Sequence, residues 1–312
     1  MSHLHTTAAT GGAHFQADAD GIRHIECHLG DAELLVEAAE GRHISVRQTD
    51  GCGDRLTTEI RDGRLVVGSL PRPVWSWCRT QIVLLVPAAY AGRLTVELNS
   101  GSASIRGLRP RDLDCSAHSA QIRIDQCQVA CELTASAKSG QLTITETEAQ
   151  TLSLSSASGS VACEHIVCGT FVCSTRSGRQ DLRSVHAGHL CRLEACSGGL
   201  RFQGTAPRLE TDSKSGAQHL TVGDLETADL KAVSGMLDLT VPEGPDLKQI
   251  AAEAISGTVL LRLPLEVSPE LDLHSSHGRC SCSEAFRSGF HPVRICAKVF
   301  SGQTQILPAF AS

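Results

Sequence analysis

A Ser-Gly pair recurs along this chain at a nearly constant interval. It stands at Ser100-Gly101, Ser139-Gly140, Ser158-Gly159, Ser177-Gly178, Ser197-Gly198, Ser215-Gly216, Ser234-Gly235, Ser256-Gly257 and Ser301-Gly302. Ser119-Ala120 and His277-Gly278 fill the two gaps, and the steps from Ser100 to His277 are 19, 20, 19, 19, 20, 18, 19, 22 and 21 residues. Self-similarity at a period of about 20 residues marks a solenoid, in which no single repeat can bury its apolar face alone.

The apolar residues keep register with the marker serine. Six residues before it stand Leu94, Leu113, Leu133, Leu152, Phe171, Cys191 and Leu209; four before it stand Val96, Cys115, Ala135, Leu154, Cys173 and Leu193. Two before it the residue is small, as in Ala117, Ala137, Ser156, Thr175, Ala195, Ser213, Ala232 and Ala254. A step of two is strand alternation with one face buried. After the glycine the parity shifts, and apolar pairs sit three and five residues beyond the serine: Ile122/Ile124, Leu142/Ile144, Val161/Cys163, Leu200/Phe202, Leu237/Leu239 and Val259/Leu261. A parity change of one residue requires a corner, and glycine tolerates the bend. The expected corners are Gly101, Gly140, Gly159, Gly178, Gly198, Gly216, Gly235 and Gly257. Each coil reads as strand, corner, strand and a looser polar turn back.

The fold class that follows is all-β: a single-stranded parallel β-helix, or β-solenoid, of about eleven coils, right-handed by expectation, with an N-terminal β cap. Three lapses read as bulges or loops. Ser119-Ala120 lacks the glycine, Gln180 and Gln218 occupy an apolar column, and residues 284–293 stretch the last coil.

Residues 1–13 read as a disordered tail, 14–92 as N-terminal strands, hairpin and cap, and 93–312 as the solenoid repeats. In the N-terminal part Ile25, Cys27, Leu29, Ala32 and Leu34 imitate one coil. Asp62-Gly63 between two β-rich runs is a strong two-residue hairpin signal. A cap is needed because a bare terminal coil exposes unpaired strand edges.

A net charge of −6 with scattered basic residues argues against nucleic acid or an anionic membrane as the main partner. The longest apolar run, residues 81–90, is far too short to span a bilayer, and the opening residues carry no secretory pattern. Cytoplasmic residence is the expectation, with envelope association through a partner. Of the 14 cysteines, most of those in the solenoid fall on core columns, as small apolar residues would.

The sharpest chemical cluster is His274, His277, Cys280 and Cys282. Two histidines and two cysteines are a zinc set by type, but the coil rule places both cysteines on the inward columns three and five residues beyond His277, so no metal and no cofactor is expected. Cys163, Cys168, Cys173, Cys191 and Cys196 resemble a redox set, yet Cys163, Cys173 and Cys191 lie on core columns, which leaves Cys168 and Cys196 outward. Trp75 and Trp77 share one strand face by their spacing and are the binding candidates, weighed against a role in plugging the solenoid end. Asp112, Asp114 and Asp125 come from neighbouring coils but lack the aromatic platforms a sugar-cleaving site needs.

The layout resembles the bacterial putative-adhesin, β-strand-repeat family. The residues that carry the likeness are Gly30-Asp-Ala-Glu-Leu34, Val83-Leu-Leu-Val-Pro87, residues 94–108, and the repeated Ser-Gly-x-Leu-x-Leu/Ile coils. The resemblance spans residues 14–310 and implies the β-helical fold; it implies no defined activity. The reading is therefore a non-catalytic, adhesin-like β-solenoid that binds a protein or glycan, able to self-associate through its ends or edges. Two alternatives stand beside it: an intracellular scaffold or regulator in envelope-stress signalling, and a β-helical polysaccharide hydrolase or lyase.

Overall fold

A computed structural model describes residues 8–10, 14–50, 55–70 and 79–309. The chain forms two compact units, Met1–Leu154 and Ser155–Ser312. The first holds β1 (Ala8–Thr10), β2 (His14–Asp18), β3 (His24–Ala39), β4 (His43–Gln48), β5 (Leu56–Arg61), β6 (Arg64–Ser69), β7 (Thr80–Pro87), β8 (Arg93–Arg106), β9 (Asp112–Asp125) and β10 (Gln128–Ser139). β11 (Leu142–Ser158) crosses the boundary. The second holds β12 (Val161–Ser177), β13 (Gln180–Ser197), β14 (Leu200–Thr205), β15 (Arg208–Gly223), β16 (Thr227–Thr240), β17 (Gln249–Leu263), β18 (Val267–Cys282) and β19 (His291–Pro308). These long strands run through the Ser-Gly corners and stack in parallel, which makes the fold the β-solenoid that the repeat implied.

In the first unit β3, β8 and β9 stack with the marker column aligned, Asp31 on Ser100 and Ser100 on Ser119. On its other side β3 meets β6 along its first arm and β7 along its second. Antiparallel strands then cover this end: β5 on β6, β4 on β7, β2 on β4 and β1 on β5. The β5–β6 hairpin turns at Asp62 and Gly63, whose φ values of 50° and 74° suit a two-residue turn that follows strand twist.

In the second unit β12 and β13 pair in parallel, β14 and β15 cover the two arms of β13, and β16 and β17 follow. The stack then leaves chain order. β19 pairs with β17, and β18 lies beyond it, paired with β19. The stretched segment makes this exchange. A short 3-10 turn, Glu284–Ser288, is capped by the Ser283 hydroxyl, which accepts from the Ala285 N–H at 3.3 Å. Phe286 is buried, and the Phe290 and His291 N–H groups donate to Glu266 O at 3.0 Å.

The glycines show why the corner repeats. Gly198, Gly216, Gly235 and Gly257 have φ between 120° and 140°, and a Cβ on any of them would lie within 2.1 Å of the glycine carbonyl oxygen one coil below. Gly101 and Gly140 meet the carbonyls of Ala32 and Ala120 in the same way. Only a residue without a side chain lets stacked backbones approach this closely. Gly159 differs: its φ lies outside the left-handed region, although its own carbonyl faces Gly178. The coil without a glycine keeps its corner, because Ala120 turns its methyl into the core and is almost fully buried.

Two expectations need correction. Gln180 and Gln218 are neither looped out nor bulged. Both are buried in register, with Gln180 Nε2 donating to Glu194 O at 2.7 Å and Gln218 Nε2 donating to Lys231 O at 3.2 Å. A primary amide can occupy an apolar column when its N–H reaches a backbone carbonyl. The return segment is also no loose turn. Seven residues after the marker a second corner recurs at Gly107, Gln126, Glu146, His165 and Ser184, with φ from 47° to 69°. It flips the parity again, so Leu108, Cys127/Val129, Thr147/Ala149, Ile166/Cys168 and Val185/Ala187 form a third inward-facing segment.

Candidate functional site

Trp75 and Trp77 lie outside the described residues. The cysteine set and the His274–Cys282 cluster fall on the second unit, and Asp112, Asp114 and Asp125 on the first.

The His274–Cys282 cluster occupies β18. Leu273, Ser275, Cys280 and Cys282 register with Ala297, Val299, Thr304 and Ile306, all four of them buried. The two cysteines therefore hold the inward columns, but β18 ends the stack and they remain half-buried. Partial burial still pushes the Cys282 thiol up. His274 projects to the opposite face, where Nε2 stands 2.8 Å from Asp272 Oδ1, and the His277 ring lies 5.7 Å from that of Phe300. The strand alternation that buries the cysteines thus carries His274 away from them. Among the described residues no group of three or more metal-ligating side chains converges.

The cysteines of the second unit are mostly core. Cys163, Cys173 and Cys191 are buried. Cys168, expected outward, is buried too, because the second corner at His165 reverses the alternation before it. Burial pushes its thiol up to about 12 and raises Cys163, Cys173 and Cys191 as well, so none is an activated nucleophile. Cys196 is half-exposed.

A concavity with a volume of about 530 Å³ lies on the outer face of β16, β17, β19 and β18. Its floor is the column two residues before the marker, where Ala232, Ala254 and Val299 stack in register. One wall is the column immediately before the marker: Val233, Ile255 and Phe300, exposed to 44%, 56% and 59%. The other wall carries Lys231, Glu253 and Lys298. Lys298 Nζ lies 3.6 Å from Glu253, and Lys231 Nζ lies 3.3 Å from Asp229, so the charges largely neutralise one another. Elsewhere the Val233 column holds Asn99, His118, Lys138, Ala157, Arg176, Cys196, Lys214 and Ser276, none of them a large apolar residue. Three consecutive coils replace these with large apolar groups spaced by about one strand separation, about 4.8 Å. The signal was present in the sequence at a fixed offset from the marker. The inward columns alone do not reveal it.

Asp112, Asp114 and Asp125 do not gather into one acidic site. Asp112 Oδ2 lies 3.9 Å from Arg111, Asp114 Oδ2 lies 3.6 Å from Arg93, and Asp125 Oδ2 lies 3.4 Å from Arg106 while its other oxygen accepts from Thr145 at 2.6 Å. Among the described residues no helix is long and apolar enough to cross a membrane.

A family model described as Toastrack DUF4097 matches residues 22–291. Among solved structures, the chain is similar to a putative adhesin from Parabacteroides distasonis, with 9% identity, 96% of this chain and 97% of that chain covered, and a TM-score of 0.41. A putative adhesin from Parabacteroides merdae gives 14% identity, 74% and 97% coverage and a TM-score of 0.35. A putative cell adhesion protein from Clostridium sporogenes gives 7% identity, 98% and 100% coverage and a TM-score of 0.26. No curated protein matches the chain.

Proposed function

The chain belongs to the Toastrack DUF4097 family, and on that premise we propose that it is a non-catalytic, adhesin-like β-solenoid that binds a protein partner on the outer face of its second unit. The observation that carries this reading is the Val233–Ile255–Phe300 ladder. Three large apolar side chains lie exposed in one column, beside a neutralised charged wall and over a floor of small residues. An apolar centre with a polar rim is the anatomy of a protein interface. A glycan would favour aromatic platforms, and this groove offers one phenylalanine beside two aliphatic residues.

The non-catalytic part draws support from the arginine-paired carboxylates Asp112, Asp114 and Asp125. Glycoside cleavage requires a free acid and a free base or nucleophile facing one bond. A cytoplasmic setting fits the unpaired thiols, Cys27, Cys115 and Cys163 among them, since reducing compartments keep thiols free.

The test is site-specific photocrosslinking from position 255 in the native cell, with and without Phe300→Ser. The expected result is a discrete adduct to one protein, lost with Phe300→Ser while the circular dichroism melt is unchanged. An adduct that survives the substitution, or binding to arrayed glycans that depends on Ile255, overturns the reading.

A further inference from the structure

The second unit has an unfinished end. Among the described residues β18 pairs with β19 alone, so the opposite edge of a 16-residue strand carries unpaired backbone donors and acceptors. Its inward columns are unfinished as well. Leu271 registers with the fully buried Ile295 yet is itself 43% exposed, and Leu273, Cys280 and Cys282 are half-buried above Ala297, Thr304 and Ile306. Exposed large apolar residues outside the groove also concentrate here: Leu265, Leu271, Phe290 and Leu307 all come from the last two coils and their connections. A patch of that kind marks an interface. The contrast with the first unit is direct, because there antiparallel β4 and β5 overlie the terminal coil.

We propose that the free edge of β18 docks on the same edge of a second copy of this chain, head to head about a twofold axis through the His277-Gly278 corner. The corner selects this partner. A twofold axis that bisects it lays the first arm of one copy antiparallel over the second arm of the other. Leu273 then faces Cys282 of the second copy, His274 faces Ser281, Ser275 faces Cys280, and Ser276 faces Arg279. Inward columns meet inward columns, so the two cores become continuous. In these four pairs each large or charged side chain meets a serine or a cysteine, and no like charges are opposed. Antiparallel cross-strand pairs of this sort are the unit of sheet stability, and a shared patch that is its own complement is what an isologous dimer requires. A head-to-tail arrangement has no equivalent, because among the described residues the overlaid end of the first unit presents no open inward column.

The inference is independent of the ligand groove, and Ile255→Lys separates the two by disturbing the groove while leaving β18 intact. The experiment uses the full chain under reducing conditions, with sedimentation velocity from micromolar to millimolar concentration. The expected result is a reversible dimer, weakened at least tenfold by Leu273→Arg and unchanged by Ile255→Lys. A second variant, Ser275→Cys, should trap the dimer on mild oxidation through a bond between position 275 and Cys280 of the other copy. Opposed antiparallel residues have Cα atoms about 4.5–5.5 Å apart, within disulfide range. Peptide mapping reads that linkage even if Leu273→Arg misfolds. A monomer at all concentrations, a dimer indifferent to Leu273→Arg, or a 275–275 linkage overturns the proposal.

Discussion

Gly198 and Gly199 are adjacent, and their substitution by alanine should change stability in opposite directions. Gly198 has φ +123°, and a Cβ there would lie 1.9 Å from Gly178 O, an atom of stacked backbone that cannot swing aside. Gly199 has nothing within 4 Å of its Cβ position and no left-handed φ. Two costs act at Gly198. A φ that L-residues avoid costs about 1–3 kcal/mol, and forcing an atom into a filled site costs about 1–3 kcal/mol more. Gly198→Ala should therefore lose about 2–6 kcal/mol. Gly199→Ala meets neither cost and restricts the unfolded chain, so it should be neutral or stabilising by up to about 1 kcal/mol. Because solenoids can unfold in parts, the assay is urea denaturation followed both by circular dichroism and by hydrogen exchange of β13 and β15. Loss of under about 1 kcal/mol for Gly198→Ala, or equal losses for both variants, would refute the stacked-carbonyl argument.

Thiol labelling of the native protein, diluted until it is monomeric, should reach Cys131, Cys196, Cys280, Cys282 and Cys296, which are partly exposed, and spare Cys27, Cys168 and Cys173; rapid labelling of Cys168 would mean that the second corner does not reverse the alternation. Glu210 tests the pH response. Its carboxyl is held below the usual carboxylate range by a hydrogen bond from Arg192 and by the charges of Arg192 and Arg208. A depressed folded-state pKa contributes stability above the unfolded value of about 4.3, and that contribution is lost as pH falls through the folded value. Glu210→Gln should thus cost about 1 kcal/mol or less at pH about 7, and the difference in urea midpoint should shrink as pH falls below the unfolded value of about 4.3; a difference that widens on acidification contradicts the ion pairing.

The β-solenoid was legible because its constraints are local and repeated. A step of two before each Ser-Gly and a shifted step after it can arise only from stacked strands with a corner, and the Asp62-Gly63 hairpin was equally local. The second corner left no comparable mark. A left-handed residue there can be Gln126, Glu146, His165 or Ser184 as readily as Gly107, so residue type did not announce it. Without that corner the alternation puts Cys168 on the outer face, although it is buried. Gln180 and Gln218 were misread for a related reason, since their amide partners, the carbonyls of Glu194 and Lys231, lie 14 and 13 residues away across the corner.

The order of stacking was beyond the sequence altogether. Any coil of this repeat offers the same apolar columns to any other, so periodicity does not say which coil lies on which. In chain order His277 would sit between Ser256 and Ser301, but β19 takes that place and β18 becomes the end of the stack. That exchange half-exposes Leu271, Cys280 and Cys282 on columns that are buried one coil below. It also sets Phe300 beside Ile255 rather than a coil away from it, completing the apolar wall of the groove. The sequence by itself determined the coil, because each corner and alternation is a property of neighbouring residues. The tertiary structure alone decided which edge stays open and which outer columns meet, because those depend on contacts between coils that are chemically interchangeable.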